Sequence, residues 1–213
     1  MQNTQHGVQS EAHAQRADAH HGIPRLSFEE LEPTLARALE PRYRRLGYLG
    51  EFFRCMGHQP AALRAFVEFT EGAKATLDKP TIEVIALTVA TATGNAYERN
   101  QHERLCIRTG FSRDWVREVE ALNPDEAVHL SPRERTVQRW VLAVAQRRFT
   151  EASELYSAFL EQVGAAEAVA ALLVVGRYVA HSAMVQTLQL SPPVPSIFED
   201  GFTGESAQAT APR

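Results

Sequence analysis

The chain has 213 residues, 44% hydrophobic and 23% charged, an ordinary globular composition with enough apolar mass for a sizeable core. A net charge of −4 marks no electrostatic partner, and the basic residues, nearly all arginine, never cluster with aromatics, so no nucleic-acid partner is expected. Cys55 and Cys106 lie far apart, with neither CxxC nor metal-ligand spacing, so they read as reduced, buried thiols of a cytoplasmic protein.

Residues 1–26 form a flexible N-terminal tail rich in Gln, Ala and His, whose irregularly spaced His6, His13, His20 and His21 read as solvated. Ser27 with Glu30 forms an S-x-x-E capping box that opens a helix toward Arg44, and Pro41 is expected to bend or split it. "GEFFRCM", 50–56, is a short apolar piece, and Pro60 opens a helix carrying Leu63, Phe66, Val67 and Phe69 at helical spacing. Pro80 opens "PTIEVIALTVATAT", apolar nearly all round and therefore buried. Gly94 and Asn95 interrupt it, and a polar helix runs from Ala96 to Thr109, ending at Gly110. Ser112 caps "RDWVREVEAL", which Pro124 ends.

Ser131 with Glu134 is a second capping box, followed by the stripe Val137, Trp140, Val141, Val144. Thr150 opens a helix closed by Gly164, and a long helix follows from Ala165 to about Leu190. Its apolar run "AVAALLVVG", 168–176, is bracketed by Glu167 and Arg177 and is shorter than the about 18 residues of a membrane span, so a soluble protein without a membrane partner is expected. No strand-like alternation is present, so residues 27–190 read as one all-α domain, with a weak internal duplication between "LDKPTIEVIALTVA" and "LSPRERTVQRWVLAVA". Residues 191–213 form a Pro-rich, non-core C-terminal extension whose Ile197, Phe198 and Phe202 are apolar enough to dock on a neighbouring surface.

Three groups of polar residues clash with their surroundings. Glu83 is the one charge in the apolar helix after Pro80; at an exposed first turn it would only offset the helix dipole. Glu98 and His102 share a helical face at i, i+4 spacing. Alone they read as a solvated pair, but a carboxylate against an imidazole also fixes its tautomer and raises its pKa, as base catalysis near neutrality requires. Arg177 and His181, again i, i+4, interrupt the long apolar helix and need partners or a wet cavity.

Glu83, Asn95, Glu98 and His102 together reproduce a spacing. The run resembles the carboxymuconolactone decarboxylase and alkylhydroperoxidase D-like superfamily over roughly residues 45–190. Its peroxidase branch carries E-x11-C-x2-C-x3-H, a redox dithiol assisted by glutamate and histidine. Glu83 and His102 match those two residues, while Asn95 and Glu98 stand at the cysteine positions, so the chain is similar to the cysteine-free, decarboxylase-type branch. Dithiol chemistry needs an attacking thiolate and a resolving thiol, and neither is at its position.

The resemblance implies an all-helical homo-oligomer, trimer or hexamer, without cofactor, acting by acid–base chemistry on a small carboxylate or lactone through decarboxylation or related hydrolysis or isomerisation. On that reading Glu83, Glu98 and His102 are catalytic, with His102 the proton donor or acceptor, Glu98 orienting it and Glu83 a second acid or base. Tyr97, Asn95, Arg177 and His181 line the substrate, Arg177 binding its carboxylate. The alternatives are a non-catalytic oligomeric binding protein of the same fold and a peroxidase-like protein lacking the redox CxxC, with a residual role for Cys106. A divalent metal on Glu83, Glu98 and His102 ranks behind these, and no metal is expected.

Overall fold

A computed structural model describes residues 22–199 and 202. The N-terminal tail with its four histidines, through residue 21, lies outside them, as do residues 200, 201 and 203–213. The described residues are helical, with no strand among them: α1 (Pro33–Leu46), α2 (Glu51–Met56), α3 (Pro60–Lys74), α4 (Lys79–Ala92), α5 (Ala96–Arg108), α6 (Arg113–Ala121), α7 (Pro132–Ala145), α8 (Phe149–Val163) and α9 (Ala165–Thr187). They fall into two compact units, 22–67 with 187–190, and 68–186 with 191–199 and 202.

In the first unit the start of α1 differs from the sequence expectation. The Ser27 N–H does donate to Glu30 Oε2 at 2.7 Å, but this closes only a turn. The helix begins at Pro33, where the Glu32 carboxylate accepts from the Thr34 and Leu35 N–H groups at 2.9 and 3.0 Å. Pro41 neither splits nor ends it. Pro41 and Arg37 are both exposed, so the carbonyl that loses its donor faces water and the cost is reduced. Leu35, Leu39 and Phe52 are fully buried, and Arg42 stacks 4.9 Å over the Phe53 ring.

The second unit is built round α4, which packs against α5, α6 and α7, while α7 packs against α8. Asp78 caps α4 through the Thr81 N–H at 2.9 Å, with Pro80 in the first turn. From Val84 to Ala90 every residue is buried, as the unbroken apolar pattern demands. The predicted capping box of α7 is complete: Ser131 Oγ accepts from the Glu134 N–H and Glu134 Oε2 from the Ser131 N–H. Helix α8 begins at Phe149, without a side-chain cap, instead of at Thr150. Helix α9 ends at Thr187, short of Leu190.

By length and hydropathy α9 would qualify as a membrane span, but 56% of its most apolar window is buried inside the protein. Arg177 and His181 are buried at its centre and take part in side-chain contacts, which a core helix of a folded domain explains.

The extension after α9 is not wholly non-core. Ile197 is fully buried in the central cluster, and Phe198 and Phe202 pack against it. The Glu103 carboxylate accepts from Ser196 Oγ at 2.6 Å and from the Ile197 N–H at 2.7 Å. Asn100 and Arg104 donate to the carbonyls of Val194 and Pro195, and Arg113 to that of Ile197.

Candidate active site

The break between α4 and α5 turns the chain so that the first turn of one helix meets the middle of the next. Gly94 takes φ 70°, a left-handed conformation that suits glycine. Asn95 then caps α5, its Oδ1 accepting from the Glu98 N–H at 3.2 Å. Thr93 Oγ1 donates to the Val89 carbonyl and lies 2.7 Å from Ser182 Oγ, pinning the break to α9.

Across this break Glu83 Oε2 stands 2.6 Å from His102 Nδ1, with Glu83 1% and His102 8% exposed. Glu83 is thus a buried partner, not the exposed dipole-offsetting charge. The second imidazole nitrogen, Nε2, is 3.1 Å from the Tyr178 hydroxyl and 3.6 Å from Glu98 Oε1. The carboxylate that orients His102 is therefore Glu83 on the neighbouring helix, whereas the i, i+4 spacing predicted Glu98. Side-chain direction explains this: one turn of separation puts two groups on one face without aiming them at each other.

Glu98 belongs to a second set. Arg177 Nη1 donates to its Oε1 at 2.8 Å, and His181 Nδ1 forms an ion-pair contact with Oε2 at 3.0 Å, off the hydrogen-bond direction. The Arg177 guanidinium also lies 4.4 Å over the Tyr178 ring. The sequence expected Arg177 to hold a substrate carboxylate; in the structure it holds the carboxylate of Glu98. Tyr97 is buried with its ring 6.2 Å from that of His181, and Asn95 is buried in its capping role. All seven predicted residues converge in this unit, as two linked clusters.

Electrostatics give the groups distinct states. Burial pushes the Glu83 carboxyl up, but the His102 charge and hydrogen bond, then Lys79 and Lys74, outweigh it and leave the pKa below the usual value. Burial pushes His102 down, and Glu83 followed by Glu98 reverses this, so its pKa ends above 6.5. Both shifts favour the carboxylate and imidazolium form of the pair. Burial likewise raises Glu98, yet His181, Arg177 and His102 hold it well below the carboxylate range.

Cys106 Sγ lies 3.7 Å from Glu83 Oε2. Burial and then the Glu83 charge raise its pKa, which keeps it a thiol. Cys55 is also free and buried. Among the described residues no three His, Cys, Asp or Glu side chains are arranged to hold a metal ion.

Sequence reasoning missed Tyr178 and Lys74. Tyr178 is 2% exposed and completes the chain Glu83–His102–Tyr178; its one sequence signal was a hydroxyl-bearing ring beside Arg177 in an apolar helix. Lys74, the last residue of α3, stands with Nζ 5.2 Å from the same ring.

Comparison with known proteins agrees with this architecture. The profile described as "Carboxymuconolactone decarboxylase family" matches residues 60–143. An alkylhydroperoxidase AhpD core protein of Ralstonia eutropha, described as an uncharacterized peroxidase-related protein, superposes with a TM-score of 0.68 at 18% identity, over 85% of this chain and 95% of its own. The debrominase Bmp8 gives 0.66 at 15% identity, over 82% and 93%. An AhpD-type protein of unknown function from Agrobacterium tumefaciens gives 0.58 at 20% identity, over 64% and 93%. Comparison with curated proteins finds no match. The profile covers α3 to α7, so this part of the chain is similar to the carboxymuconolactone decarboxylase family, and the chain shares the helical fold of AhpD-type proteins.

Proposed function

We propose that this protein is a cofactor-free acid–base enzyme acting on a small carboxylate or lactone, by decarboxylation or by related hydrolysis or isomerisation. The observation that carries the reading is the buried Glu83–His102 contact at 2.6 Å, continued at 3.1 Å to the Tyr178 hydroxyl. Glu83 fixes the imidazole and favours its charged form, leaving Nε2 as the nitrogen that exchanges a proton, directly or through Tyr178. In a decarboxylation the bond between the carboxylate and its neighbouring carbon breaks, carbon dioxide leaves, the electron pair stays on the substrate as an enolate, and His102 supplies the proton to the carbon that carried the carboxylate. Cys106, held as a thiol and without a second sulfur at the site, does not suit dithiol peroxide chemistry.

The test is carbon dioxide release and ring opening across a panel of carboxylated lactones, wild type against His102→Ala. Loss of turnover by about 10²–10⁴-fold per folded molecule supports the reading. Equal turnover by both proteins, or none by the wild type, overturns it, and the latter leaves a non-catalytic binding protein.

The same reading includes a homo-oligomer in a reducing, cytoplasmic setting, consistent with two free thiols. Val169, Leu172, Leu173 and Val179 form an apolar stripe on α9, 37–51% exposed, of the kind an intersubunit contact buries. Light scattering after chromatography is expected to show a trimer or hexamer that Leu172→Glu dissociates.

A further inference from the structure

Of the 22 lysines and arginines in the chain only Lys74 and Lys79 are lysines, and both act on Glu83. Lys79 Nζ is 3.4 Å from Glu83 Oε1, with its side chain 42% exposed. Lys74 is different. It is half-buried, and among the described residues no ion pair or hydrogen bond holds its ammonium. Its near contact is the face of Tyr178, the ring whose hydroxyl reaches His102 and whose face also carries Arg177.

The charges around that ring do not cancel. Glu83 is matched by His102 and Lys79, and Glu98 by Arg177 and His181. Glu71, one turn before Lys74, is exposed and acts on it only at a distance. Glu98 and Glu83 also favour the Lys74 charge through space, but neither forms an ion pair with it; a cation drawn out of water with no carboxylate in contact keeps part of its desolvation cost, which an arriving anion offsets. Burial, followed by the neighbouring Arg177 charge, brings the Lys74 pKa down to about 8. A single rotatable ammonium suits one carboxylate, whereas the guanidinium beside it is already engaged.

We infer that Lys74 Nζ is the anchoring group for the carboxylate of a small, flat monocarboxylate substrate, which lies along the Tyr178 ring with its reacting atom toward the Tyr178 hydroxyl and His102 Nε2. This rests on the acid–base reading of the site, and it moves carboxylate recognition from Arg177 to Lys74.

Acylation of the wild-type protein by acetic anhydride at pH 8, followed by peptide mass mapping, reads both lysines at once. Benzoate serves as the anionic probe and benzamide as its neutral isostere. Benzoate is expected to slow labelling of Lys74 about tenfold at ten times its Kd, with Lys79 unaffected and benzamide inactive. Equal Lys74 labelling in benzoate and benzamide overturns the inference. In turnover of a carboxylated lactone, Lys74→Met is expected to raise KM about 30-fold with a smaller change in kcat, partly restored by Lys74→Arg. An unchanged KM also overturns it. The inference fails alone if His102→Ala abolishes turnover while Lys74 shows no benzoate protection; the acid–base reading fails alone if protection is present and His102→Ala keeps full turnover.

Discussion

His102 and Glu103 are consecutive residues of α5, and each sits in a buried polar cluster of opposite character. In one, the Glu103 carboxylate accepts from Arg99, Ser196 and the Ile197 backbone, and so fastens the C-terminal extension to the domain. The His102 cluster is open in the chemical sense. It contains an imidazole with a raised pKa, a phenol within hydrogen-bond reach and a lysine that carboxylates influence only through space. Burial of charge alone therefore does not separate a structural cluster from a reactive one. What separates them is the kind of partner: Glu103 is held by a guanidinium, a hydroxyl and a backbone amide, whereas His102 stands between a carboxylate and a phenol that can exchange its proton.

Exchanging the two residues for glutamine should split activity from stability. His102→Gln is expected to lower turnover of a carboxylated lactone by about 10²–10⁴-fold per folded molecule. Glu103→Gln should leave turnover per folded molecule intact while unfolding free energy in urea falls by about 3 kcal/mol and the C-terminal segment becomes open to proteolysis. The comparison breaks if both variants change the same quantity.

A smaller effect concerns the second link of the His102 chain. Tyr178→Phe should reduce kcat about tenfold with KM nearly constant, if the phenol hands on the proton.

Each cluster also has its own pH response. The raised His102 pKa gives stability that is complete below the unfolded value of 6.5 and is lost as pH rises through the folded value. The lowered Glu83 pKa gives stability present above 4.5 and lost as pH falls through its folded value. Beside Glu103, burial and then the Glu103 charge raise Glu120 to about 8. Glu120 binds its proton more tightly folded than unfolded, so its contribution falls as pH climbs from 4.5 toward 8. Glu120→Gln should flatten that decline in urea titrations, an effect on the order of 1–2 kcal/mol after solvent screening. The smallest change is expected for Cys106→Ser: turnover within a factor of about two and no altered peroxide consumption, since the thiol lends only a weak contact to Glu83.

Sequence reading was strongest where the governing interaction is local. The caps at Ser112 and at Ser131 with Glu134 join a side chain to an amide three residues on, so a short window contains both partners. It was weaker wherever solvent exposure decides the outcome. Pro41 is tolerated because its face of α1 is wet, and Ser27 lost the helix start to Glu32 a few residues on. The spacing of Glu83, Glu98 and His102 showed the i, i+4 contact of Glu98 with His102, at 3.6 Å, but not the shorter one to Glu83 at 2.6 Å, because rotamer direction and the neighbouring helix choose partners. Lys74 and Tyr178 meet across about a hundred residues of chain, and no local pattern reports such a meeting.

The interruption at Thr93, Gly94 and Asn95 is short, capped on both sides and tied to Ser182. It works as an indexing stop: it fixes the rotational phase of everything downstream against everything upstream. One inserted residue there would turn α5 by about 100°, carrying the imidazole out of register with its acid. Lineages of this protein should thus hardly vary in the number of positions, eighteen, that separate Glu83 from His102.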